Sequence, residues 1–98
     1  MITTKLQKKL LELQKAGDKE KVSVLRYLLS QVKNKEIELR ANGEKISKEQ
    51  VVAITEKQLK QRKETAQLYK DAGRDDLAEK DQREVEILSE LLKYVKSQ

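Results

Sequence analysis

The chain has 98 residues, of which 40% are charged and 37% hydrophobic, and this length accommodates one small domain spanning 1–98. It contains no Cys, His, Pro, Trp or Phe. These absences exclude disulfides, thiolate or imidazole metal sites, and nucleophile systems of the Ser-His-Asp or Cys-His kind. No apolar run is long enough to span a bilayer and no signal peptide opens the chain, so we expect a cytoplasmic helical protein.

The net charge of +5 is unevenly distributed along the chain. Residues 1–46 carry eleven Lys and Arg against six Asp and Glu, whereas residues 74–98 carry five against seven. A basic first half indicates a polyanionic partner on one side of the molecule. Lys and Glu that merely keep a helical surface soluble would give the same composition, and both interpretations stay open. Basic patches that bind nucleic acid usually contain more Arg and more stacking aromatics than the five Arg and three Tyr of this chain. Neither DNA nor a membrane is an expected partner.

Three glycines divide the chain, and each follows a helical pattern of apolar residues. A glycine just past the end of a helix is the usual left-handed terminator, so the sequence predicts an all-α fold, a small bundle of about four helices joined by short Gly turns. The terminators are Gly17, Gly43 and Gly73, and the predicted helices span about 5–16, 19–41, 48–72 and 77–95.

Capping residues predict where each helix begins. The strongest signal is at the third helix, where Ser47 and Gln50 have the spacing of a capping box and Ile46 and Val51 that of a hydrophobic staple. The other predicted caps are Thr4 with Gln7, Asp18, and Asp75 or Asp76.

Helical projection gives each helix an inward face, and the third and fourth faces are interrupted by polar residues. The predicted inward residues are Leu6, Leu10 and Leu13 in the first helix; Val22, Leu25, Leu29, Val32 and Leu39 in the second, with Leu28 at the edge; Val51, Ile54, Thr55, Gln58, Arg62, Thr65, Ala66 and Tyr69 in the third; and Leu77, Asp81, Val85, Leu88, Leu92 and Val95 in the fourth, with Leu91 beside it.

The charged residue Arg62 lies in the middle of the third inward face. A buried charge without a partner is costly, so we expect Arg62 to form a structural ion pair with Asp81 or Glu84 of the fourth helix. In a second interpretation Arg62 joins Arg26 and Lys33 in an exposed groove that meets an anionic group. In a third, a dimer buries this face. Tyr27 and Tyr69 are expected to be core or rim aromatics.

Four segments, in order and at the right spacing, resemble the YqeY-like family. Residues 18–29 (DKEKVSVLRYLL), continued by 33–38 (KNKEIE), are similar to its "DKxRxxxLRxLL" opening. Residues 61–69 (QRKETAQLY) are similar to "KQRxxSxxxY/F". Residues 72–80 (AGRDDLAEK) and 84–88 (EVEIL) are similar to "AGRxDLAxKE" and "EIxxL". The resemblance covers about residues 18–92.

The resemblance implies the amino-terminal helical domain of the GatB/YqeY group. A second helical domain, similar to the tail of the B subunit of the tRNA-dependent Asp/Glu amidotransferase, follows in that family and helps to engage tRNA in that enzyme. Here residues 91–96 (LLKYVK) replace the family's "YLP", and we expect that second domain to be absent from this chain.

The resemblance implies a non-catalytic domain accessory to tRNA or to a tRNA-dependent amidotransferase, a glutamine-dependent carbon–nitrogen ligase. The alternative is a protein-interaction module that docks a partner helix or subunit. No catalytic, cofactor-binding or metal-binding residue is assigned, and no cofactor is expected, so catalysis by this chain alone is not expected. The candidate RNA-binding or partner-binding residues are Arg26, Lys33, Arg62 and Arg74.

Overall fold

A computed structural model describes residues 1–98 and contains four α-helices and no strand. The predicted all-α bundle with short glycine turns is therefore confirmed. No helix is both long enough and apolar enough to cross a membrane. The helices are α1 (Ile2–Lys15), α2 (Lys19–Arg40), α3 (Lys48–Asp71) and α4 (Asp75–Ser97).

The three glycines end α1, α2 and α3 as predicted. Each has a positive φ, which is +73° at Gly73. There the Gly73 N–H donates to the Lys70 carbonyl and the Arg74 N–H donates to the Tyr69 carbonyl. This pair of bonds is the Schellman motif, and it needs a residue without a Cβ at the left-handed position. The chain reverses within this turn, so α3 and α4 form a hairpin.

Two of the predicted helix starts are confirmed. Ser47 and Gln50 form the complete capping box at α3, because each side chain bonds the backbone N–H of the other residue. Asp18 caps α2 by accepting a hydrogen bond from the Lys21 N–H. These side chains satisfy backbone donors that have no partner inside the helix.

The other two predicted starts are wrong. α1 begins at Ile2 and not after Thr4, because Ile2 is buried and extends the apolar stripe of Leu6 by one turn. α4 begins at Asp75, after Arg74, which makes no side-chain cap. Asp75 and Asp76 therefore lie inside the first turn, where negative charge is favourable to the helix dipole.

The apolar core joins α1, α2, the first turn of α3 and the last half of α4. In α2, Leu28 was predicted at the edge but is fully buried, whereas Leu29 is only partly buried. The prediction was wrong because α2 is covered by α1, α3 and α4, which widens its buried sector to include Val24. The core residues are Ile2, Leu6, Val24, Leu25, Leu28, Val32, Leu39, Ile46, Val51, Leu88, Leu91 and Val95.

The α3–α4 hairpin has the most extensive helix–helix contact, and the molecule is elongated, with extents of 47 × 31 × 21 Å. Its radius of gyration is 14.4 Å, against about 13 Å for a compact domain of this size. Thr65 was predicted to face inward, but it is exposed and its hydroxyl donates to the Gln61 carbonyl. In α4, Leu91 is buried and Leu92 only partly so.

Candidate functional site

A polar layer crosses the α3–α4 hairpin between the apolar core and the Gly73 turn. We define it as Gln58 and Arg62 of α3 with Asp81 and Glu84 of α4. Arg62 Nη1 donates to the Glu84 carboxylate, and the two side chains are 21% and 12% exposed. Asp81 is partly buried, and its Oδ2 has no hydrogen-bond partner. Of the two candidate partners for Arg62, the structure thus places Glu84 against the guanidinium.

The same guanidinium lies beside an aromatic ring of α2. The central carbon of Arg62 is 5.6 Å from the centroid of Tyr27, within the range of a cation–π contact. Tyr27 is nevertheless 50% exposed, so its ring lies at the rim of the bundle. Arg62 therefore links α4, through Glu84, to α2, through Tyr27.

Outside this layer, α2 presents a row of basic side chains. Lys19, Arg26, Lys33 and Arg40 are each seven residues apart, and all four are exposed. We call these four residues the α2 cation line. Seven residues are close to two helical turns, so the four lie along one face at intervals of about 10.5 Å.

No member of the α2 cation line forms an ion pair, although six ion pairs occur elsewhere in the chain. The positions between its members include Ser23, Ser30 and Ile37, and Glu36 lines a surface pocket together with Lys33 and Arg40. The result is a strip of unpaired basic side chains about 31 Å long.

The candidate residues named from the sequence are thus separated. Arg26 and Lys33 belong to the exposed α2 cation line, whereas Arg62 is turned inward to Glu84. Arg74 is exposed at the start of α4, and its Nε is 3.6 Å from Asp76 Oδ1. Lys19 and Arg40 were not among the predicted residues, although their seven-residue spacing from Arg26 and Lys33 is visible in the sequence.

A groove of about 370 Å³ runs between α2 and α3. Consecutive residues of a helix point about 100° apart, so the groove, which contains Tyr27 and Asn34, lies on a different side of α2 from Arg26 and Lys33. Its rim carries an ion pair, Lys35 with Glu38, together with Lys57. We call it the α2–α3 groove, and its central lining is Tyr27, Gln31, Asn34, Ile54, Gln58 and Gln61.

The α2–α3 groove is lined by groups that can bind a ligand through non-covalent contacts. Side-chain amides, one phenol ring and lysines can hydrogen-bond, stack and attract anions. Gln58 is only 4% exposed, and neither its Nε2 nor its Oε1 has a hydrogen-bond partner. The projection of α3 predicted that Gln58 faces inward, but the groove depends on the distance between two helices and had no signal in the sequence.

Comparison with known proteins identifies the same family as the four sequence motifs. A search of curated proteins finds no match. The family model described as "Yqey-like protein" matches residues 3–95, which is nearly the whole chain. The matched region contains the α2 cation line, the polar layer and the α2–α3 groove. The chain therefore belongs to the YqeY-like family.

Proposed function

We propose that this chain is a non-catalytic helical domain that binds RNA phosphates along α2, as an accessory to tRNA or to a tRNA-dependent amidotransferase. The RNA partner comes from the resemblance between its motifs and those of the GatB/YqeY group. The proposal places the protein in the cytoplasm, together with the tRNA. Catalysis is assigned to other domains or subunits of such an assembly.

The observation that carries the proposal is the α2 cation line. Exposed lysines and arginines without acidic partners lose no existing ion pair when they meet phosphates. Their alignment along one helix face matches the extended shape of a nucleic-acid backbone. Arg26 and Arg40 add planar guanidinium groups that can bind phosphate in a bidentate way.

Binding to RNA phosphates has a measurable salt dependence. Each phosphate that a cation neutralises contributes roughly 0.7–0.9 to the slope of log K against log salt concentration, because counterions are released. Four contacts give a slope of roughly −3. We expect tRNA binding to weaken steeply as salt is raised, and duplex DNA of similar length to bind less tightly.

The test replaces Lys19, Arg26, Lys33 and Arg40 with Gln and measures anisotropy of labelled deacylated tRNA across a salt series. The control replaces four other exposed basic residues that form no ion pair, and it changes the net charge equally. The control residues are Lys60, Lys63, Lys70 and Lys80.

We expect the α2 variant to lose most of the tRNA affinity and most of the salt slope, and the control to keep both. Equal losses in the two variants, or no binding of tRNA by the unaltered chain, would contradict the proposal. Circular dichroism of both variants checks that the helices are retained.

A protein partner is the second candidate. Its support is Leu11 of α1 and Leu68 of α3, which are 57% and 67% exposed. A partner that covered either side chain would remove its apolar surface from water, which is favourable. If the tRNA experiment gives no binding, replacement of Leu11 and Leu68 by Ser should abolish association with a partner subunit while leaving the fold intact.

A further inference from the structure

We propose that the α2–α3 groove accepts one unpaired nucleobase of RNA, stacked on Tyr27, while the same strand continues across the exposed face of α2 and its phosphates meet the α2 cation line. The inference rests on the proposed function, because it names the part of the RNA that this surface recognises. RNA-binding proteins obtain specificity largely from unstacked bases held on aromatic side chains and amides.

Tyr27 supplies the stacking surface. Its ring is 50% exposed at the rim of the groove, and Arg62 lies 5.6 Å from the ring centroid. Arg62 is itself held by Glu84, so the aromatic ring is supported from within the bundle. A ring fixed before binding loses little freedom when a base stacks on it.

Side-chain amides supply the groups that meet the base edge. Gln31, Asn34 and Gln61 line the groove, and their side-chain amides form no hydrogen bond within the protein. Each amide offers both donors and acceptors, which is what the mixed edges of nucleobases require. The groove therefore fits a base more closely than a purely anionic ligand.

Gln58 provides an independent indication of a ligand. Its side chain lines the groove and is 4% exposed, yet both polar atoms of its amide are without a partner. Buried polar groups are almost always hydrogen-bonded, and an unsatisfied one lowers stability. Both atoms are inaccessible in the observed conformation, so a base edge in the groove supplies the missing partner once the Gln58 side chain turns towards it.

The lining argues against an amphipathic helix as the occupant. Such a helix docks its apolar face into an apolar groove, whereas Tyr27 and Ile54 are the two hydrophobic residues among the nine that line this one. The remaining lining is amide or charged.

The binding test uses three probes: a short oligoadenylate, a blunt RNA duplex of the same length, and free AMP. Tyr27→Ala should weaken oligoadenylate binding roughly tenfold, because one stacking contact is lost. The salt slope should stay unchanged, because no charge is removed. Duplex binding should also be unchanged, and Tyr27→Phe should keep the affinity of the unaltered chain.

Gln58→Leu is the second variant, and it tests the groove without changing the Tyr27 ring. We expect weaker binding of oligoadenylate together with a higher midpoint of unfolding, because an unsatisfied buried amide is removed. A merely structural role for Gln58 would raise the midpoint and leave binding unchanged.

Tyrosine fluorescence reports the stacking directly, because the chain has no Trp. A variant with Tyr69→Phe and Tyr94→Phe leaves Tyr27 as the single emitter. Oligoadenylate should quench its emission and the duplex should not. The variant Tyr27→Phe, which keeps Tyr69 and Tyr94, is the control for light absorbed by the RNA.

The outcomes separate the two proposals. If oligoadenylate binds and the α2 quartet variant loses that binding, but Tyr27→Ala and Gln58→Leu do not, the groove proposal is wrong and the phosphate proposal stands. Equal affinity for AMP and oligoadenylate would overturn the assignment to RNA in favour of a free nucleotide. No binding of any RNA by the unaltered chain overturns both proposals.

Discussion

The two halves of the α3–α4 hairpin are built from the same kind of helix but have opposite interiors. Near the start of α3 and the end of α4, Val51, Leu88 and Val95 are fully buried and belong to the apolar core. Towards the Gly73 turn the interior contains the polar layer of Gln58, Arg62, Asp81 and Glu84, beside the buried Ala66 and Val85.

The difference follows from what covers each half. The first half is covered by α1 and α2, so its inner residues are removed from water on all sides and must be apolar. In the second half, Arg62 and Glu84 keep 21% and 12% exposure, so charges can be retained there. An apolar interior stabilises the fold, whereas the polar interior leaves groups that can bind a ligand.

The largest effect should come from the apolar half. Leu88→Ala removes a side chain with 0% exposure and should cost about 3 kcal/mol of unfolding free energy, since it leaves a cavity. Urea denaturation followed by circular dichroism measures this loss. A cost below about 1 kcal/mol would mean that this half is loosely packed and that the contrast between the halves is overstated.

Breaking the ion pair in the polar half should have a smaller effect. Glu84→Ala leaves the Arg62 guanidinium partly buried without its carboxylate, and we expect a loss of about 2 kcal/mol, between the values for buried and exposed pairs. The double variant Arg62→Met with Glu84→Leu removes both charges and should recover most of the loss. If the double variant were as unstable as Glu84→Ala, the pair itself would be an essential part of the fold.

The third substitution should raise the unfolding free energy instead of lowering it. Gln58→Leu should stabilise the protein by about 1 kcal/mol, because it replaces an amide that is buried without a partner by an apolar side chain of similar size. Thermal unfolding in the absence of RNA measures the change. A loss of stability would show that the amide is satisfied in solution, and would remove Gln58 as an indication of a ligand.

The smallest effect is expected at the surface of the polar half. Arg83 pairs with Glu20 of α2 at 2.9 Å, but the two side chains are 55% and 41% exposed. Arg83→Ala should change the unfolding free energy by less than about 1 kcal/mol, because exposed ion pairs contribute little. A double-mutant cycle with Glu20→Ala measures the pair. A coupling well above that value would mean that α2 and α4 depend on this link.

Local signals predicted the helices well and their faces less well. Gly73 and the Ser47–Gln50 box act within a few residues of the chain, so they can be identified without knowing the fold. The wrong start of α1 arose because Ile2 is held by contacts with other helices, which outweigh the weak cap at Thr4. For the same reason Leu29 was predicted on the buried face and Leu28 at its edge, because burial depends on which helices surround α2.

In the candidate site, too, features within one helix could be predicted and contacts between helices could not. The four members of the α2 cation line are visible in the sequence as a seven-residue repeat, because one helix suffices to align them. The sequence narrowed the partners of Arg62 to Asp81 and Glu84, and the packing of α3 on α4 selected Glu84. No sequence feature predicted the α2–α3 groove.

The sequence by itself determined four helices, their glycine terminators, two of their caps and membership of the YqeY-like family, which the motif order indicated. The tertiary structure decided which leucines are buried, which carboxylate meets Arg62, and how Tyr27 and Gln58 come to line one groove. Caps, terminators and helix faces arise from interactions between residues close in the chain. Pairings and grooves depend on the relative rotation and spacing of separate helices, which only their mutual packing settles.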